Sequence, residues 1–171
     1  MPLSPRFHRP KAVSTVEDDE LIPKEIALLG AHGGAGTSTL AFLLRSELDL
    51  GTAREPHLDA WDWRMQGRPL VLVTRNTAPG AIRAEAVVNA MADRGIHVAV
   101  VAVISDGLPE PWTASYRFRV MSCRVGWVVR VPFVGLLRSV EDPAKARLPW
   151  SARRAIARIE VAALYGSVAT T

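Results

Sequence analysis

Four apolar runs constrain this chain more than any other feature of its sequence. Residues 25–30 (EIALLG), 69–74 (PLVLVT), 97–107 (HVAVVAVISDG) and 125–132 (VGWVVRVP) are nearly continuous in aliphatic and β-branched residues. A strand with one wet face alternates apolar and polar side chains, whereas a strand covered on both faces does not. The stretches between them repeat at helical spacing. One helix starts near Thr37 and aligns Leu40, Leu43, Leu44 and Leu48. A second occupies residues 76–95, with Ala84, Val87, Val88 and Met91 inward and Gly95 ending it. A third spans 112–123, lined by Trp112, Tyr116, Val120 and Cys123. Ser151 caps a last helix with Ile156, Ile159 and Ala163 inward. Residues 49–68 lack a period and read as a long connection. Strands alternating with helices predict a three-layer α/β domain on a mainly parallel sheet with right-handed crossovers.

The chain has 171 residues, enough for one domain. Residues 1–22 mix Pro, Ser and charge and read as a disordered tail, 23–166 as the α/β domain and 167–171 as a flexible end. No apolar window is long enough for a membrane span and the first residues lack a secretory signal, so a cytoplasmic protein is expected. The lone Cys123 excludes an internal disulfide, and its neighbours suggest a buried helix position. His32, His57 and His97 are scattered, and no nucleophile–base pair, carboxylate pair or metal-ligand spacing occurs. The net charge is +4, but between Trp112 and Arg158 nine Arg and Lys145 face only Glu141 and Asp142. Such a surplus is either a solvated face or a surface for nucleic acid, anionic lipid or an acidic partner.

In open α/β sheets ligands sit beyond the carboxyl ends of the strands. Four loops are expected there: 30–39, 74–77, 105–109 and 132–138. The first reads GAHGGAGTST, with Gly30, Gly33, Gly34 and Gly36 ahead of Thr37, Ser38 and Thr39. Glycines there let successive backbone N–H groups turn toward one anion, with a helix N-terminus behind them. The bland alternative is a close-packed strand-to-helix turn that binds nothing. A standard phosphate loop also carries a Lys before the hydroxyl residue. Here Thr37 takes the lysine position, Ser38 the magnesium-hydroxyl position, and Ala31 the position of the first glycine.

The loop resembles the deviant phosphate loop of the MinD/ParA family of P-loop ATPases. HGGAGTS (32–38) matches the family's glycines and hydroxyl but neither lysine, with His32 in place of the first. Later segments resembling LVLVT, VVAVIS and VPFVGLLRSVEDPAKARLPWS extend the likeness. The resemblance implies a P-loop fold with a reduced strand count. It implies ATP or GTP with magnesium, cradled by Gly30, His32, Gly33, Gly34, Ala35, Gly36, Thr37, Ser38 and Thr39. Arg75 or Arg138 would supply the missing charge, and Ser38 and Asp106 would face magnesium. The lost lysine and the absence of a recognisable magnesium-ordering Asp between the first helix and Leu70 argue against turnover. No catalytic residue is therefore expected.

The sequence also resembles a family of short actinobacterial proteins associated with plasmids and with conjugative and integrative elements. The shared segments are GAHGGAG, VLVTRNTAPG, VVAVISDGLPEP and RVPFVGLLR, over roughly residues 26–150. That likeness implies a nucleotide-binding adaptor in conjugation or partition, with a protein partner in the transfer machinery. A protein-interaction scaffold with an empty loop and a slow ATPase remain alternatives. Trp61 and Trp63 suggest a docking surface or lid, or plain core cover. Arg153, Arg154 and Arg158 give the last helix a basic face that either touches a membrane or simply meets solvent.

Overall fold

A computed structural model of the chain describes residues 26–53, 67–139 and 146–168. The expected tail at 1–22 and Trp61, Trp63 and His57 lie outside the described residues, as do Glu141, Asp142 and Lys145. Among the described residues five parallel strands form one sheet: β1 (Ala27–Gly30), β2 (Leu48–Thr52), β3 (Leu70–Arg75), β4 (Val98–Ile104) and β5 (Trp127–Val131). Helices α1 (Thr37–Leu43), α2 (Ala78–Ala92), α3 (Trp112–Met121) and α4 (Trp150–Val168) cover its two faces. The α/β fold with a parallel sheet is as expected.

The strand order is β2-β1-β3-β4-β5. The chain steps from β1 outward to β2, then returns past β1 to build β3, β4 and β5 on the other side. That reversal places the topological switch point between β1 and β3. One core lies under α2 and α3, with Leu29, Leu72, Val101, Val88, Met91, Phe118 and Met121. The other lies under α1 and α4, with Leu28, Val71, Val100, Leu40, Leu44, Ile156 and Ile159. Successive residues of β1, β3 and β4 thus enter opposite cores, which is why their sequences do not alternate. Thr77 caps α2 by accepting the Gly80 N–H at 3.1 Å, and Pro79 lies in the first turn.

Three expectations need correction. Residues 48–52 form the edge strand β2 rather than the end of a helix and the start of a loop. Helix α1 ends at Leu43, and Arg45 adopts a left-handed φ of 53°. The Ser46 hydroxyl then donates to the Ile26 carbonyl at 2.6 Å, which turns Leu48 into the sheet. On α3 the inward face is Ala114, Phe118 and Met121, while Trp112, Tyr116 and Val120 are exposed. Both stripes have helical spacing, and α3 turns the alanine-bearing one toward the sheet and α2. Cys123, two residues past α3, is exposed rather than buried. In addition, α4 continues to Val168, past the expected end of the domain at 166. No described helix is long and apolar enough to cross a membrane.

Candidate functional site

The loop after β1 carries the polar groups nearest the switch point. It leaves β1 through Ala31, whose N–H donates to the Val73 carbonyl at 2.8 Å. Gly34 and Gly36 have φ of 73° and 94°, a left-handed backbone that only glycine adopts at little cost. Gly30 has a different requirement. A Cβ placed there would stand 2.5 Å from the Thr37 hydroxyl oxygen, which folds back against the end of β1. Thr37, in the lysine position, is therefore a buried packing residue.

Two glycine carbonyls of this loop, those of Gly33 and Gly34, are tied down. Arg75, at the end of β3, donates from Nε to the Gly34 carbonyl at 2.8 Å. Its own backbone N–H points to His32 Nε2 at 3.4 Å. A ring that accepts at Nε2 carries its proton on Nδ1, and that nitrogen lies 3.0 Å from the Gly33 carbonyl. His32 thus serves the loop's own backbone. The donors are in the opposite condition. Among the described residues the N–H groups of Gly33, Gly34 and Gly36 have no protein partner, and neither have the terminal nitrogens of Arg75. A backbone segment with satisfied acceptors, open donors and an adjacent guanidinium suits an anion.

Clefts flank the loop on both sides. A cavity of about 160 Å³ lies between α1 and the loops after β4 and β5, with Gly36, Thr39 and Arg75 at its polar end. Apart from Ser105 its other walls are apolar, Leu40, Leu43, Ile104 and Phe133 among them. A second cleft of about 380 Å³, toward α2, is bordered by His32, Gly33, Thr52, Thr77 and Arg83. The smaller has room for a single ring rather than for a whole drug-sized ligand, whose pockets run to about 300–1,000 Å³.

The expected magnesium contacts do not meet. Ser38 donates its hydroxyl to Asp49 at 2.8 Å, on the outer strand β2. Asp106 follows β4 and spends its carboxylate on the Leu108 N–H at 2.9 Å. Strands β2 and β4 are three places apart, about 14 Å at the usual spacing, and Asp106 lies further along the strand direction. The two side chains do not close on one ion whose ligands sit at about 2.1 Å. Among the described residues no three His, Cys, Asp or Glu side chains form a metal-binding group. The residues present therefore do not fit a protein-held magnesium ion.

Two residues absent from the sequence reading matter here. Asp49 anchors Ser38, and the aperiodic stretch 49–68 that it opens hid the strand that carries it. Asn76 is 5% exposed and staples the β3 and β4 loops, accepting the Asp106 N–H at 3.0 Å and donating to the Leu108 carbonyl at 3.1 Å. Arg138, the other charge candidate, falls in the 3-10 turn Gly135–Arg138.

The basic stretch is divided. Arg117 pairs with Glu85, and Arg124 donates to the Asn89 side chain at 2.6 Å. Arg130 grips Glu110 through two hydrogen bonds of 3.0 and 2.8 Å. Those bonds hold the Glu110 carboxyl below the usual glutamate range and the Arg130 guanidinium above its own. Arg153, Arg154 and Arg158 on α4 remain exposed. No protein-family model, curated protein or solved structure matches the chain.

Proposed function

We propose that the chain binds a phosphate-bearing ligand, ATP or GTP in the first instance, on the loop after β1, without hydrolysing it. The observation that carries this reading is the asymmetry of the loop: the Gly34 and Gly33 carbonyls are held by Arg75 and His32, while among the described residues the N–H groups of Gly33, Gly34 and Gly36 have no partner. The phosphates would meet those N–H groups and the free end of Arg75, which stands in for the lysine of a MinD/ParA-like loop. A ring would enter the apolar cleft beside Gly36. The protein would act as a nucleotide-responsive adaptor in a mobile-element process such as conjugation or partition, the setting implied by its sequence resemblances. Binding would need no protein-held metal, since Ser38 and Asp106 are engaged elsewhere.

Thermal unfolding with ATP or GTP, with and without EDTA, tests this. A ligand present at 100 times its Kd adds about 2.7 kcal/mol, and the gain should survive EDTA. Gly33→Ala puts a methyl group into open space and leaves the fold intact, yet should remove the gain, as should Arg75→Ala. No gain with either nucleotide would favour the scaffold reading, to which the exposed Trp112, Tyr116, Trp127 and Tyr165 lend support. Turnover in magnesium would favour the slow ATPase.

A further inference from the structure

At the β5 edge of the sheet, away from the loops described above, a groove of about 330 Å³ runs between β5 and the outer side of α4. Trp127, Val161 and Tyr165 line it and are 52%, 51% and 71% exposed, with Arg154 and Arg158 among them. Arg154 lies 5.2 Å from the centre of the Trp150 ring, and neither arginine has an acidic partner among the described residues. Within residues 147–165 the sole acidic group is Glu160. Bare aromatic surface interleaved with unpaired guanidinium groups calls for an occupant that is both apolar and anionic.

The chain carries such a segment. Residues 16–22 read VEDDELI, with Glu17, Asp18, Asp19 and Glu20 contiguous between Val16 and the pair Leu21–Ile22. We propose that residues 16–22 of the same chain dock in this groove, their carboxylates on Arg154 and Arg158 and their apolar residues on Trp127, Val161 and Tyr165.

The fold supplies the reach. Leu28, Val71, Val100 and Trp127 lie in register across β1, β3, β4 and β5. Trp127 is thus three strand spacings, about 14 Å, from β1. Adding a helix diameter of about 10 Å brings the path to roughly 25 Å. Ile26, the first described residue, is buried in the same core as Ile159, Ala162 and Ala163 of α4. Residues 17–20 stand six to nine positions before Ile26, an extended span of about 20–32 Å. A tether this short gives an effective concentration on the order of millimolar, so individually weak ion pairs suffice.

A nitroxide at residue 15 of the full-length chain tests the proposal, using Thr15→Cys in a Cys123→Ser background. At low salt the Trp127 indole and Val161 amide resonances should lose more than half their intensity. The effect should vanish at about 1 M salt, where the Debye length is near 3 Å. It should vanish with Arg154→Glu plus Arg158→Glu, and return when Glu17, Asp18, Asp19 and Glu20 are also changed to Lys. No broadening at low salt would overturn the proposal. So would broadening that survives the arginine reversal. Broadening transferred from labelled to unlabelled isotope-enriched chains in a mixture would also overturn it, by making a second copy the occupant.

Discussion

Two loops leave the same end of the sheet and solve the same problem in opposite ways. The loop after β4 satisfies itself. Ser105 accepts the Gly107 N–H at 3.2 Å, Asp106 accepts that of Leu108, and Asn76 bonds both Asp106 and Leu108. Beyond it, Glu110 receives Ser115 and Arg130. In the loop after β1 the Gly33 and Gly34 carbonyls are bound, while among the described residues the Gly33, Gly34 and Gly36 N–H groups have no partner. A polar group already paired inside the protein gains little from a ligand, because the exchange replaces one hydrogen bond with another. The β4 loop therefore reads as framework and the β1 loop as receptor, although Asp106 and Ser38 looked equally chemical in the sequence.

The sharpest way to break this contrast is Asn76→Ala. It empties a buried side-chain position and removes two half-buried hydrogen bonds, to the Asp106 N–H and the Leu108 carbonyl, and should cost about 2–3 kcal/mol. The melting temperature should fall by roughly 4–12 °C, read by thermal unfolding. Gly30→Ala comes next, at about 1–3 kcal/mol, because its Cβ meets the Thr37 hydroxyl. Adding Thr37→Ala should recover part of that loss, and a double-mutant cycle with no coupling would refute the close-approach account. The smallest effect concerns pH. Hydrogen bonds from Arg130 lower the folded pKa of Glu110 below its ordinary 4.5, so the unfolded chain binds more protons near that pH. The stability this contributes is present above about 4.5 and is lost as pH falls through the folded value. Glu110→Gln should flatten stability over that acid window, lowering it above about pH 4.5 and changing it little once Glu110 is protonated in both states, as measured by denaturant titration at several pH values.

Legibility in the sequence followed burial. Strands β1, β3, β4 and β5 stood out because most of their residues meet a core on one face or the other. Strand β2 did not, since it alternates Leu48 and Leu50 with the exposed Asp49 and Gly51. The exposed stripe of α3 was indistinguishable from its buried one, because periodicity reports that a face exists without saying which way it turns. Arg75 was recognisable as a charge at a strand end. That its guanidinium would bind Gly34, 41 positions earlier, was not.

The sequence by itself determined the parallel α/β class and the place of the glycine loop at a strand-to-helix turn. Both follow from local patterns of hydrophobicity and backbone freedom. Tertiary structure alone decided which polar groups were spent and which remained open. Strand order brings β3 beside β1, carrying Arg75 to the loop and leaving Ser38 to Asp49 on the far edge. Pairing between residues distant in sequence depends on how the strands are ordered, and no local pattern encodes that order.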